Sequence, residues 1–297
     1  MKTPKRIEPL IEDGLVDEVL RPLMSGKEAA VYVVRCGKEL RCAKVYKEAN
    51  KRSFRQAAEY QEGRKVRNSR DARAMAKGSK FGRKEAEDAW QNAEVAALFR
   101  LANAGVRVPK PYDFLEGVLL MEMVSDEYGD AAPRLNDVTL EPDQAREYHA
   151  FLIQQIVLML CTGLVHGDLS EFNVLLSPDG PVIIDLPQAV DAAGNNHAFS
   201  MLERDVGNMA SYFGRFAPEL KQTRFAREMW SYYEAGTLSP ATVLTGVFAD
   251  PDDVADVNSV LREIEAAQRD EARRQAARNA DDSPADKAEE PPPPWMQ

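Results

Sequence analysis

The chain has 297 residues, 44% of them hydrophobic and 29% charged, which suits one large or two small globular domains with a real core. Its net charge of -10 argues against general affinity for nucleic acid, and its three cysteines, Cys36, Cys42 and Cys161, are too few and too scattered for a disulfide framework or a zinc site. No apolar run follows the polar start at residues 1–6, so the expectation is a chain without a secretory signal, in a reducing, cytoplasmic setting.

Residues 1–17 read as a short helical or irregular lead-in. Strand-like runs at 29–34 and 40–46 flank Arg35-Cys36-Gly37-Lys38, a hairpin turn. Residues 47–83 are polar, basic and poorly periodic, which predicts a mobile insertion. From Lys47 to Lys84, 13 Lys or Arg stand against 4 Asp or Glu. Helical periodicity resumes near Lys84 and runs to Ala104, where Gly105 stops it and Pro109 and Pro111 lie beyond. Further strands fall at 112–115 and 118–123. After Glu141 the pattern is mostly helical, at 142–163, 200–215, 217–235, 239–248 and 254–278. The apolar stretch 151–165 is too short for a membrane span, is broken by Gln154 and Gln155, and reads as a buried helix. The tail, 279–297, is acidic and ends in four prolines, Pro291 to Pro294; it lacks the apolar content to order itself. Strands first and helices after, joined near 125–136, predict an α+β fold of two lobes, a small sheet-rich one over 18–124 and a helical one over 125–278.

The candidate chemistry is concentrated in the second lobe. His166-Gly167-Asp168 is followed by Asn173, five positions after the aspartate, and then by the apolar run Val174-Leu175-Leu176. A second apolar run, Val182-Ile183-Ile184, ends in Asp185. That is the layout of a kinase-type phosphoryl-transfer site. One aspartate, Asp168, would orient a substrate hydroxyl and take its proton. An amide oxygen on Asn173 and a carboxylate on Asp185 would hold magnesium on the phosphates of ATP, since that ion keeps several waters and needs few protein ligands.

Lys44 lies inside an apolar strand and needs an anion there. Glu94 is the matching acid: Trp90, Glu94, Leu98 and Leu101 share one helical face, although Glu85 and Glu87 are nearby rivals. Ser25-Gly26-Lys27-Glu28 precedes a strand and would cover phosphate. Val31, Ala43, Met121 and Leu175 would supply apolar walls. His166 is expected to pack within its loop without a proton-transfer role, and His149 and His197 to lie at the surface.

Three segments carry a resemblance to the RIO family of atypical protein kinases, and to its first subfamily best: residues 25–32, 166–173 and 183–190. It covers roughly 23–216, and the block Ser170-Glu171-Phe172-Asn173 separates it from small-molecule phosphotransferases that also use His-Gly-Asp. The resemblance implies a two-lobed protein-kinase-like fold with ATP and Mg2+ (Mn2+ as an alternative) in the cleft, and transfer of the γ-phosphate to protein Ser or Thr, including the chain's own. By the same resemblance Ser25 approaches phosphate, and the hinge, Met121-Glu122-Met123-Val124, meets adenine through backbone groups of Glu122 and Val124. Asp205 braces the catalytic loop, and Asp185 can itself accept phosphate. The insertion matches a flexible basic segment of that subfamily, so 47–84 is a candidate contact with ribosomal RNA or small-subunit particles, with an acidic protein partner or a merely solvated loop as the alternatives. No peptide-binding segment follows Asp185. That absence keeps open a second reading, an ATP-hydrolysing assembly factor for the small ribosomal subunit, with a small-molecule phosphotransferase as the third.

Overall fold

A computed structural model describes residues 3–26, 29–47 and 80–249, the stretch 80–90 by its backbone alone. The chain divides into two compact units, residues 1–247 and 248–297, and every element named below lies in the first. Most of the expected insertion (48–79), the helix at 254–278 and the tail at 279–297 lie outside the described residues.

The first lobe holds an antiparallel sheet in the order β1-β2-β3-β5-β4. Its strands are β1 (Glu18–Ser25), β2 (Ala29–Cys36), β3 (Glu39–Tyr46), β4 (Pro111–Leu115) and β5 (Val118–Glu122). β2 and β3 form the expected hairpin, whose turn places Gly37 at φ 62°, a conformation that glycine adopts without a Cβ penalty. The sequence pattern does not reveal β1. It is a mostly exposed edge strand carrying Pro22, and two register shifts interrupt its pairing with β2, so no alternation survives to be read.

Alternation along β3 decides what reaches the cleft. Ala43 and Val45 join Val34, Val118 and Leu120 in a cluster on one face, closed by Ile7 and Leu10 at the short helix α1 (Glu8–Glu12). Cys42 and Lys44, two residues apart, line the cleft. Ala43 is therefore not a cleft wall; it is fully buried behind the sheet, and Cys42 takes that place. Helix α2 (Lys80–Asn103) begins four residues before the periodicity suggests. Its buried face carries Glu94, Leu98 and Leu101.

The second lobe packs α3 (Pro142–Cys161), α4 (Ala198–Phe213) and α5 (Phe225–Glu234) around one large core. A capping box starts α3: Glu141 and Gln144 exchange side-chain and backbone hydrogen bonds, with Pro142 at the first helical position. The glutamines that interrupt its apolar run both have partners. Gln155 Oε1 accepts from the Arg107 amide at 2.7 Å and Gln154 Nε2 donates to the Pro240 carbonyl at 2.7 Å. Two short ladders, β6 (Leu164–Val165) with β9 (Val190–Asp191) and β7 (Val174–Ser177) with β8 (Gly180–Ile183), set the loops at the cleft. Among the described residues no helix is long and apolar enough to cross a membrane.

Three expectations for this lobe are corrected. The span 217–235 is a short tight turn at Pro218–Gln222 and then α5, because Thr223 is extended and breaks the helix. Residues 239–248 are not helical. The buried Glu228 carboxylate takes the amides of Thr245 and Gly246 and the Thr245 hydroxyl, and Gly246 turns at φ 74°. His149 is not at the surface. It lies on the buried face of α3, 2% exposed, with the rings of Phe213 and Phe225 each at 5.7 Å. Burial pushes its imidazole down to about 4, because charging it there would forfeit hydration. His197 is exposed, as expected.

Candidate active site

A cleft of about 690 Å³ lies between the sheet and the helical lobe. Its apolar wall includes Val31, Met121 and Leu175, as expected, together with Leu98 and Leu119. Burial pushes the Cys42 thiol in that wall up to about 12, so it behaves as a small apolar group.

Lys44, Glu94 and Asp185 converge on the cleft from β3, α2 and the end of β8. Lys44 Nζ is 2.5 Å from Glu94 Oε1 and 3.7 Å from Asp185 Oδ1. Of the rival acids only Glu94 is shown here, since the side chains of 80–90 lie outside the description. Glu94 is 5% exposed, and its second oxygen, Oε2, has no hydrogen-bond partner among the described residues. A buried carboxylate with one charged neighbour holds that ammonium by strong attraction in a poorly hydrated place. Asp185 differs: its side chain is 49% exposed and its backbone sits at φ 66°, a left-handed geometry rare outside glycine and concentrated at functional sites.

The loop carrying Asp168 is pinned from below. Asp205 on α4 is 1% exposed. Its two oxygens accept the amides of Gly167 at 2.8 Å and Leu169 at 2.9 Å, on either side of Asp168. Arg204 donates to the Gly167 carbonyl and Asn208 Nδ2 to the Leu169 carbonyl, the latter at 2.9 Å. Burial raises the Asp205 carboxyl to about 6, against the pull of His166, the two amides and Arg204. His166, 2% exposed, accepts the Asp168 amide on Nδ1 at 3.3 Å, while Nε2 lies 3.1 Å from the Ile184 carbonyl. Those contacts hold the ring within the loop, a packing role rather than proton transfer. The Asn173 carbonyl accepts the Ile184 amide at 2.9 Å. Ile184 is thus clamped between His166 and Asn173, which fixes Asp185, the next residue, against the Asp168 loop.

Asp168 is exposed at the cleft margin. Burial of its carboxyl raises its pKa, His166 and Arg204 draw it back, and Asp185 raises it further. Asn173 Nδ2 donates to the Asp168 carbonyl at 2.8 Å, which leaves the amide oxygen as the group it can offer a cation. Among the described residues no cluster of three His, Cys, Asp or Glu could hold a metal by itself. One carboxylate and one amide oxygen instead suit a hard cation that arrives with phosphate oxygens.

At the hinge, Arg107 grips the Glu122 carboxylate with both terminal nitrogens, each at 2.9 Å. Burial alone would raise the Glu122 carboxyl, but Arg107 and the Lys110 amide outweigh it and hold it below the usual range. The Glu122 amide donates to the Lys110 carbonyl at 2.8 Å and the Val124 carbonyl accepts the Ala132 amide at 3.0 Å. Glu122 and Val124 both line the cleft.

Lys44, Glu94, Glu122, Val124, Asn173 and Asp185 therefore share one cleft, with Asp168 at its edge. Ser25 closes β1 beside it; Gly26, not Ser25, forms the lining. Three participants escape motif reading. Arg107 sits in a loop, where no periodicity marks it. Lys47 looks like one more charge of the insertion, yet its Nζ is 3.1 Å from Ser25 Oγ and 2.6 Å from the Gly26 carbonyl. Gln188 lies in the Asp185 motif with no role assigned, and its Nε2 donates to Asp168 Oδ2 at 3.1 Å.

Residues 30–226 match the family model of the RIO domain. The chain is 38% identical over 215 residues to the RIO-type serine/threonine-protein kinase Rio1 of Haloferax volcanii, a span of 70% of this chain and 68% of that protein. It is 34% identical over 192 residues to the protein of the same name from Methanocaldococcus jannaschii, 64% of this chain and 61% of that one. To the serine/threonine-protein kinase RIO1 of Homo sapiens it is 30% identical over 217 residues, which cover 72% of this chain but only 36% of the human protein.

Proposed function

This chain belongs to the RIO domain family, and on that premise we propose that it is an ATP-dependent serine/threonine protein kinase whose acceptors include its own hydroxyls. One observation carries the reading: Lys44, held at 2.5 Å by a buried glutamate and 3.7 Å from Asp185, faces the cleft that the Asp168 and Asn173 loop borders. An ammonium poised between two acids is a socket for phosphate oxygens.

In this reading adenine lies between Val31 and Leu175, and the hinge offers it the Glu122 carbonyl and the Val124 amide. Lys44 holds the phosphates, and Ser25 and Gly26 cover them. Asn173, through its amide oxygen, and Asp185 would hold the divalent ion, Mg2+ with Mn2+ as the alternative, which when bound would supply charge neutralisation for the phosphates. Asp168 orients the acceptor hydroxyl. As the bond from that oxygen to the γ-phosphorus forms, the bond to the β–γ bridging oxygen breaks. The hydroxyl proton passes to Asp168, and ADP leaves with the bridging oxygen.

A second reading, an ATPase whose turnover drives assembly of small ribosomal particles, is favoured by one feature. Residues 186–197, which include β9, are all that separate Asp185 from α4, a short stretch on which to build a platform for a peptide. In that reading water, or the Asp185 carboxylate, takes the phosphate, and the basic segment 47–84 would dock on RNA.

Single-turnover incubation with γ-labelled ATP and magnesium separates the two. Acid-stable label on Ser or Thr, lost in Asp168→Ala, supports the kinase. Free phosphate with only a hydroxylamine-sensitive label that vanishes in Asp185→Ala supports the ATPase. No release and no label would overturn both.

A further inference from the structure

Gln188 is the one hydrogen-bond donor on the Asp168 carboxylate among the described residues, at 3.1 Å from Oδ2. The loop around Asp168 is fixed by Asp205 through the flanking amides, but those bonds hold backbone. They leave rotation of the carboxylate about its own side-chain bonds open. Gln188 bonds the carboxylate itself, from the turn that follows Asp185. The chain turns sharply at Asp185, φ 66°; Leu186 is buried at 3%; Pro187 has a ring-restricted φ; and the Ala189 amide closes the turn onto the Leu186 carbonyl at 3.1 Å. This rigid turn presents Asp185 and Gln188 to the same cleft.

We propose that Gln188 is a positioning residue for phosphoryl transfer: its amide fixes Oδ2 of Asp168 so that Oδ1 faces the acceptor oxygen. The inference rests on the phosphoryl-transfer reading and holds for either acceptor, protein hydroxyl or water. The residue type suits the task. A carboxylate accepts at both oxygens, so one can be held while the other works. A neutral amide orients without forming the ion pair that a lysine or arginine would, a pair that would compete with the acceptor for the carboxylate.

Gln188 touches Asp168, not the phosphate-holding pair of Lys44 and Glu94, so its loss should appear in turnover and not in nucleotide affinity. The test compares wild type with Gln188→Ala and Gln188→Met. The second variant keeps the side-chain length and deletes the donor without adding charge, and it covers the case in which the alanine variant fails to fold. The single-turnover rate with ATP and magnesium is measured beside the affinity for a non-hydrolysable ATP analogue with magnesium, by calorimetry. Misorientation of a reacting group supports an expected rate loss of about 10- to 100-fold in both variants, with affinity within about twofold of wild type. Rates unchanged in either variant would overturn the proposal. So would a parallel loss of rate and affinity, which marks a residue that merely holds the cleft together. A wild type that turns over no ATP would instead refute the underlying phosphoryl-transfer reading.

Discussion

Replacing Lys44 by methionine removes the hydrogen-bond and charge partner of Glu94, and the structure sets the size of the effect. Glu94 is 5% exposed and its other oxygen has no partner among the described residues, so the carboxylate is stranded on a face it shares with Leu98 and Leu101. Breaking a buried pair from one side costs roughly 3–5 kcal/mol, because an uncompensated charge stays behind. The reverse change, Glu94→Gln, should cost only about 1–2 kcal/mol. Lys44 keeps Asp185 at 3.7 Å, and the amide keeps the volume and an acceptor. Lys44→Met with Glu94→Leu leaves no buried charge, and its stability should return to within about 1 kcal/mol of wild type. Urea unfolding of the four proteins, compared at matched slopes, gives each difference from wild type. Nucleotide binding should be lost in the double variant despite its stability if, as proposed, the pair serves the ligand and not the fold. A Lys44→Met variant less than about 1 kcal/mol below wild type, or a double variant no better than Lys44→Met, would refute the reasoning.

His149 gives a pH prediction. Its folded imidazole lies at about 4 against an ordinary value near 6.5, so its contribution is complete above pH 6.5 and is lost as pH falls toward 4. Between pH 7 and pH 5 that loss is about 2 kcal/mol. The raised Asp205 carboxyl works in the opposite sense, adding stability as pH falls through about 6. The measurement is therefore the difference between wild type and His149→Leu, and a difference independent of pH would sink the argument. Asp205→Asn offers one acceptor to two amides and sets an NH2 against the other. It should cost about 1–3 kcal/mol and slow turnover through the Asp168 loop, measured by denaturation and single-turnover rate; full activity would contradict that bracing role. Gly246→Ala meets both φ 74° and the Phe225 ring, with Cζ 2.9 Å from the new Cβ. Thermal melting should show a loss of about 1–3 kcal/mol, and an unchanged melting temperature would refute it.

The sequence disclosed the elements whose burial follows a period. β2, β3 and β5 alternate or run apolar, α3 and α4 carry apolar stripes, and the spacing of Asp168, Asn173 and Asp185 is a local property of a loop between short strands. What stayed hidden depends on tertiary packing. β1 is exposed on its edge and irregular in register. Residues 239–248 look helical until Glu228 captures their amides. His149 reads as a surface residue because histidine is polar, although its place in the stripe with Ala145, Leu152 and Ile153 already put it on the buried face. Ala43 and Cys42 were exchanged at the cleft for a related reason: strand alternation from Lys44 selects Cys42. Gln188 and Arg107 act on partners 20 and 15 residues away, a relation that no spacing rule announces.

In the phosphoryl-transfer reading, Asp168 serves the reacting oxygen and not the nucleotide. Asp168→Asn keeps the shape and removes the proton acceptor. Its single-turnover rate with ATP and magnesium should fall by about 10²- to 10⁴-fold, while calorimetric affinity for the non-hydrolysable analogue stays near that of wild type. A variant that transfers or releases phosphate at close to the wild-type rate would contradict the account.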